Sequence, residues 1–207
     1  MMAAPFTSPV EEYDRQYQAW AGQQGPKVFD LDWRLTHLSW GDRALLRRYS
    51  PEGRRVLDFG CMDGVFTLRL QQLGGEAVGY DISPAAIAQA KRFRGSAARP
   101  VFTTVPPGPG QFDRIYCTDV LEHVEDDSGL VGELVSYLAS DGSVVGTTMV
   151  QGGAYEEALL RRALAPWGRV RLHRYYRSAL RNLLPVRQQG DAVLVFQVTP
   201  PSPPGAR

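Results

Sequence analysis

The stretch Val56-Leu57-Asp58-Phe59-Gly60-Cys61-Met62-Asp63-Gly64, running on into Val65-Phe66-Thr67-Leu68-Arg69-Leu70, decides the fold. Val56, Leu57 and Phe59 make the short apolar run that a parallel strand, covered on both faces, presents. The run ends in a turn with two glycines, and an amphipathic segment begins at Gly64. Strand, glycine turn and helix in succession bring a nucleotide-like ligand to a helix N-terminus, where unpaired backbone N–H groups lie. Gly60 is expected to let the backbone come close to that ligand, and Gly64 to let the helix pack tightly on the strand. A dinucleotide site calls for G-x-G-x-x-G. Here Met62 stands where a middle glycine would, so the turn alone does not choose the cofactor.

Downstream, strand and helix alternate. Strands are predicted at 55–59, 77–80, 101–105, 112–118 and 143–150, and helices at 64–73, 83–93 and 127–138. Gly74-Gly75 closes the first of these helices, Ser83-Pro84 opens the second, and Asp141-Gly142 turns the chain into the fifth strand. This alternation predicts a doubly wound parallel sheet with right-handed crossovers. The remainder reads as a helix at 156–165, a short strand at 169–172, a short helix at 178–184 and a last strand at 193–198. So little chain precedes the last strand that an antiparallel arrangement is expected. From Thr199 to Arg207 four prolines predict a disordered tail.

The first fifty residues read as a helical cap. Ser8-Pro9-Val10-Glu11 is a helix start, with Ser8 as N-cap, Pro9 at N1 and Glu11 at N3. The helix at 11–21 puts Tyr13, Tyr17 and Trp20 on one face. A second helical region at 32–49 has Leu35, Leu38, Leu45, Leu46 and Tyr49 on its apolar side, and Gly41 as a point where it breaks. The aromatic stripe packs on the core, or it closes as a lid over a ligand with Tyr13 or Tyr17 touching it. The expected division is a cap at 1–50, one cofactor-binding domain at 51–199 and a tail at 200–207.

Bulk properties narrow the function. The chain has 207 residues and a formal net charge of +1, which gives no electrostatic footprint for nucleic acid or anionic lipid. It has no apolar run of membrane-spanning length and no signal-peptide pattern at Met1-Met2-Ala3-Ala4-Pro5. Cys61 and Cys117 are the two cysteines, in keeping with free thiols in a reducing cytoplasm. Lysine is confined to Lys27 and Lys91 amid abundant arginine, a hint of a GC-rich bacterial genome.

Asp81 ends the second strand, and an acidic residue there can accept both hydroxyls of a ribose. Otherwise it caps the helix that begins near Ser83. Asp58 lies inside the first strand, where a carboxylate is costly unless paired. It is expected to accept hydrogen bonds from the glycine turn or from a ligand ammonium. The fourth strand ends in Cys117-Thr118-Asp119-Val120-Leu121-Glu122-His123-Val124. In a doubly wound sheet that end faces the same crevice as Gly60. His123 is then either a base near the reacting atoms or a structural residue tying the loop to the backbone.

Together, the glycine turn, Val78-Gly79-Tyr80-Asp81-Ile82-Ser83, the run from Phe112 to Val124 and Asp141-Gly142-Ser143-Val144-Val145 resemble the class I S-adenosylmethionine-dependent methyltransferases. Asp119-Val120-Leu121-Glu122-His123-Val124 is most similar to the branch with ubiquinone-biosynthesis O-methyltransferases and many natural-product methyltransferases. His173-Arg174-Tyr175-Tyr176-Arg177-Ser178-Ala179-Leu180 resembles that branch as well. The likeness covers roughly 53–198.

It implies a Rossmann-like, mostly parallel seven-stranded sheet with an antiparallel last strand. S-adenosylmethionine is the implied cofactor, leaving as S-adenosylhomocysteine. Gly60, Cys61, Met62 and Gly64 would surround its methionine part, with Asp58 nearby. Asp81 and Ile82 would hold ribose and adenine, with Thr104 beside the adenine, while the Thr118 carbonyl and Asp119 would approach the amino group. Met62 and Thr103-Thr104 depart from the family pattern. The implied reaction is in-line transfer of a methyl group to an oxygen or nitrogen of a small molecule, a specialised metabolite, by a monomer or homodimer. His123 is the first candidate base and His37 or His173 the next, with Tyr17 and Tyr13 beside the methyl group. No metal is implied. The alternative is a cofactor-binding partner, or other chemistry on the same fold.

Overall fold

A computed structural model describes residues 9–23, 25–150, 157–176 and 192–201. The expected N-cap Ser8, the helix at 178–184 and the end of the proline-rich tail lie outside the described residues. Three helices come first: α1 (Pro9–Gln23), α2 (Leu31–Thr36) and α3 (Trp40–Arg48). The alternating part follows as β1 (Arg55–Phe59), α4 (Val65–Gln72), β2 (Glu76–Tyr80), α5 (Pro84–Arg94), β3 (Val101–Thr103), β4 (Phe112–Thr118), α6 (Asp127–Ser136) and β5 (Leu138–Val150). The chain closes with α7 (Glu157–Leu164), β6 (Arg169–Tyr176) and β7 (Ala192–Thr199).

The strands form one sheet in the order β3-β2-β1-β4-β5-β7-β6. The first five are parallel, and β7 runs antiparallel to both β5 and β6. The winding direction reverses between β1 and β4, which opens a crevice beyond the carboxyl ends of those strands.

The sequence placed the secondary helical region as one piece interrupted at Gly41. In the structure the interruption is at His37–Ser39, and Gly41 lies inside α3. The reason is local. The Ser39 hydroxyl accepts the Asp42 N–H at 3.0 Å and starts a new helix. The fifth strand begins earlier than Asp141-Gly142 suggests. Leu138 pairs with Phe112 and Ser143 with Arg114, so the turn residues form a bulge within β5.

Both faces of the sheet are covered. On one, Leu57, Ile115, Val144, Leu194 and Phe196 pack under Val131 and Leu134 of α6 and Leu160 and Leu164 of α7. On the other, Val56, Ala77, Tyr116, Val145 and Val195 meet Ala44 and Leu45 of α3 and Phe66 and Leu70 of α4. Cys61 and Cys117 are both buried and free. Burial raises both thiols, so they are held in the uncharged form. Among the described residues no helix is long and apolar enough to cross a membrane.

Candidate functional site

The crevice is a cavity of about 690 Å³, within the usual size range of small-molecule sites. Its floor is the turn between β1 and α4. Gly60 has φ 75°, and a Cβ there would lie 2.6 Å from Val120 Cγ2. The Gly60 and Cys61 N–H groups both donate to the Tyr80 carbonyl, at 2.8 and 2.9 Å, which ties the turn to β2. Gly64 has φ 77°, and its missing Cβ makes room for Phe102 of β3 and Ala90 of α5. The close packing expected of Gly64 is therefore real, but its partners are those two side chains rather than β1. Met62 adopts φ 48°, a left-handed conformation that glycine takes without cost. What holds a methionine there is Asp81, whose Oδ2 accepts the Met62 N–H at 2.8 Å.

Asp81 is thus engaged before any ligand is considered. Its Oδ1 accepts the Ser83 N–H at 2.8 Å, so one carboxylate braces the glycine turn against the start of α5. Each oxygen keeps a further lone pair, and Asp81 and Ile82 both line the cavity. Burial raises the Asp81 pKa against the two hydrogen bonds that lower it.

Asp58 is fully buried. Its Oδ2 accepts the Thr67 hydroxyl proton at 2.6 Å, and among the described residues Oδ1 has no hydrogen-bond partner. The glycine turn, one expected donor, is spent on Tyr80, and Thr67 one turn into α4 supplies the bond instead. Sequence reading missed Thr67; its place three residues beyond Gly64 was the available signal. Burial, with Asp42 and Asp81 nearby, pushes the Asp58 pKa up to about 7.

Thr118 and Asp119 close β4 at the facing edge. Asp119 has φ 52°, donates its N–H to the Thr147 carbonyl at 3.0 Å and accepts the Thr147 hydroxyl proton at 3.0 Å. Burial, then the Glu122 charge, pushes its pKa to about 6. His123 follows in a single 3-10 turn and lines the cavity. Thr104 is exposed beyond β3 and is not among the lining residues, whereas Tyr80, Ala86 and Leu130 are. His37 lines the cavity with its ring stacked on Trp33 at 4.4 Å. His173 sits in β6 opposite Val195 and does not line it.

The cap helix roofs the cavity. Tyr13, Tyr17 and Trp20 all line it, so the aromatic stripe of α1 faces the crevice as the lid arrangement requires. Two polar contacts seat α1. Asp14 accepts from the Ser83 hydroxyl at 2.5 Å and from the Ala85 N–H at 3.0 Å at the start of α5. Tyr13 donates to the backbone carbonyl of His123. Arg34 of α2 reaches under the lid, bonding to buried Asp63 with its guanidinium 5.3 Å from the Trp20 ring centre. Burial, then the Asp63 charge, pushes the Tyr17 pKa to about 12, which keeps its hydroxyl a proton donor at neutral pH. None of Asp14, Arg34 or Asp63 was singled out in the sequence, because each works through a partner distant along the chain.

Residues 35–188 match a family described as a methyltransferase domain. The tRNA U34 carboxymethyltransferase of Aeromonas salmonicida is 31% identical over 165 residues, covering 73% of this chain and 49% of that protein. The ubiquinone biosynthesis O-methyltransferase of Bordetella avium is 31% identical over 108 residues, covering 48% of this chain and 44% of that protein. The chain thus spans about half the length of the curated relatives it matches. Among solved structures, the 1,6-didemethyltoxoflavin-N1-methyltransferase of Burkholderia thailandensis, with bound 1,6-didemethyltoxoflavin and S-adenosylhomocysteine, superposes with a TM-score of 0.62. It is 18% identical and the match covers 96% of this chain and 93% of that one.

Proposed function

This chain belongs to the class I S-adenosylmethionine-dependent methyltransferases, and from that premise we propose that it transfers a methyl group to an oxygen or nitrogen of a small molecule held under the α1 lid. The observation that carries the reading is Oδ1 of fully buried Asp58, which lines the cavity and has no hydrogen-bond partner among the described residues. A buried carboxylate oxygen without a donor is expensive, and the ammonium of the cofactor's methionine part is a donor that would satisfy it. Gly60 leaves the backbone bare, and Asp81 offers free lone pairs to ribose hydroxyls. These residues fit the family's cofactor.

When bound, S-adenosylmethionine supplies an electrophilic methyl group on a cationic sulfur. The chain's own contribution is positioning and the exclusion of water. Gly60, Cys61 and Met62 form the floor, and Asp58 with Asp119 faces the cationic end. Tyr17 and Trp20 line the same cavity, and aromatic rings attract cations. In this reading His123, which lines the cavity, takes the acceptor's proton. A cavity roofed by a short cap suits a small acceptor, such as a specialised metabolite, better than a macromolecule. The direct test is titration calorimetry with S-adenosylhomocysteine. Micromolar binding that is lost in Gly60→Val supports the reading. Absence of binding by the native protein overturns it.

A further inference from the structure

The start of α5 draws its hydrogen-bond acceptors from three elements. The first N–H groups of a helix have no partner within it, and Pro84 brings none. The Ala86 N–H goes to the Ser83 hydroxyl oxygen at 3.1 Å, as expected of a cap residue. The Ser83 N–H goes to Asp81 Oδ1 at the end of β2. The Ala85 N–H goes to Asp14 Oδ1 of the lid helix α1, and the Ser83 hydroxyl proton goes to that same oxygen. Ser83 is buried, so these bonds face little competition from water.

Asp14 is not among the residues that line the cavity, whereas Ser83 and Asp81 are. Its plain role is to seat α1 on α5. Seating alone would be served by a bond anywhere along α5. Here both bonds fall on the first turn, and one is made to the residue whose N–H holds Asp81. A serine hydroxyl donates one proton, and Asp14 takes it. Without Asp14 that hydroxyl is free to rotate and the Ala85 N–H loses its acceptor, which is costly in a buried turn. The Ser83 N–H that Asp81 depends on then loses its fixed direction. The other Asp81 oxygen is held by the Met62 N–H, a bond in which α1 takes no part. Losing Asp14 therefore loosens the carboxylate without freeing it.

We propose that Asp14 is a positioning residue for the cofactor's ribose: acting through Ser83, it holds the Asp81 carboxylate where its free lone pairs meet the ribose hydroxyls. The inference rests on the cofactor site of the methyl-transfer reading above. The route is a chain of hydrogen bonds from Asp14 to the Ser83 hydroxyl, from the Ser83 N–H to Asp81, and from Asp81 to the ribose. The first two are present in the structure, and the last forms when ribose binds. The helix that roofs the reacting end of the site thereby also sets its ribose end, from outside the cavity.

The test is calorimetry on the full chain with S-adenosylhomocysteine and its 2′-deoxy form. A hydroxyl bonded to a carboxylate gives the native protein a preference of about tenfold for the full ribose. Asp14→Ala should cut that preference to less than half its native value, beyond any common loss of affinity for the two ligands. Asp14→Asn should keep it, because the asparagine Oδ1 accepts both bonds. If Asp14→Ala fails to fold, Ser83→Ala serves, since it removes the linking hydroxyl and leaves Asp14 its bond to the Ala85 N–H. A preference that stays above half its native value in the variant overturns the proposal and leaves Asp14 only to seat the lid. An equal loss in Asp14→Asn overturns it by making the effect one of charge rather than of bonding. Equal binding of the two ligands by the native protein overturns it by taking the ribose away from Asp81. Failure of the native protein to bind S-adenosylhomocysteine is a separate result that defeats the methyl-transfer reading itself.

Discussion

Tyr13, on the cap helix, donates its hydroxyl proton to the backbone carbonyl of His123 at 3.1 Å, a bond between residues 110 positions apart. It joins the roof of the cavity to the loop that carries the candidate base. Burial, with Glu12 and Asp81 nearby, raises the Tyr13 pKa, so the donor proton is retained at neutral pH.

Tyr13→Phe removes this latch and little else. A net hydrogen bond is worth about 0.5–1.5 kcal/mol, and partial exposure puts this one in the lower half. S-adenosylhomocysteine should bind roughly two- to fivefold more weakly, with the melting temperature nearly unchanged. Calorimetry that finds identical affinity would show that α1 closes without the bond.

His123→Ala leaves the latch in place, because the latch uses the backbone carbonyl. The substitution therefore isolates the imidazole. Loss of a general base lowers turnover by about 10²–10⁴, and cofactor affinity should stay within about twofold. Single-turnover methyl transfer to an acceptor that the native protein accepts gives the rate. Full activity in the variant would make His123 a structural residue.

Asp81→Ala should weaken cofactor binding by about 1.5–3 kcal/mol, the range for hydrogen bonds to a charged group. Because Asp81 also braces Met62 and Ser83, weaker binding alone does not assign it to the ribose. Comparing S-adenosylhomocysteine with its 2′-deoxy form does. The native protein should prefer the full ribose, and the variant should not. A preference that persists in the variant would confine Asp81 to bracing the turn.

Acid groups at this site should tie stability and binding to pH. Burial raises the pKa of Asp58 to about 7 and of Asp119 to about 6, above the value of about 3.9 for an unfolded aspartate. Between these limits the folded state holds protons that the unfolded state has released. Stability is then fully present below the unfolded pKa and lost as pH rises through the folded ones. His173, whose pKa burial lowers, works the other way, but its ring is partly exposed. The ligand-free protein should melt at a higher temperature at pH 5.5 than at pH 8. An ammonium beside Asp58 favours its charged form, so S-adenosylhomocysteine binding near pH 6.5 should release protons. Binding heats that scale with the buffer's ionisation enthalpy report that release; heats independent of buffer would place no titrating carboxylate at the ligand.

Thr67→Val tests the other end of Asp58. It takes from a buried carboxyl group the hydroxyl bond that Thr67 gives it, at a cost of about 1–3 kcal/mol. Denaturant unfolding should show that loss. A stability equal to native would mean that water replaces the Thr67 hydroxyl.

The sequence by itself determined the sheet and its cofactor end. Periods of apolar residues set β1, β4 and the helices between, and Gly60, Gly64 and Asp81 fall at strand ends, so local pattern places them in one crevice. Those signals are short-range: a strand, a turn and a helix start are each written within a dozen residues. Three matters were decided only by tertiary structure. The roof is one, since the stripe of Tyr13, Tyr17 and Trp20 reads as core or as lid until α1 is seated by Asp14 on α5. The internal wiring is another: Asp58 with Thr67, Asp81 with Met62, and Arg34 with Asp63 and Trp20. The third is the charge of the cavity. The sequence gives Asp42 no role. Only when α3 packs against β5 and β7 does it line the same cavity as Asp58 and Asp119. Such pairings join residues many positions apart, and one chain's local pattern carries no record of which distant side chain burial will bring next to a charge.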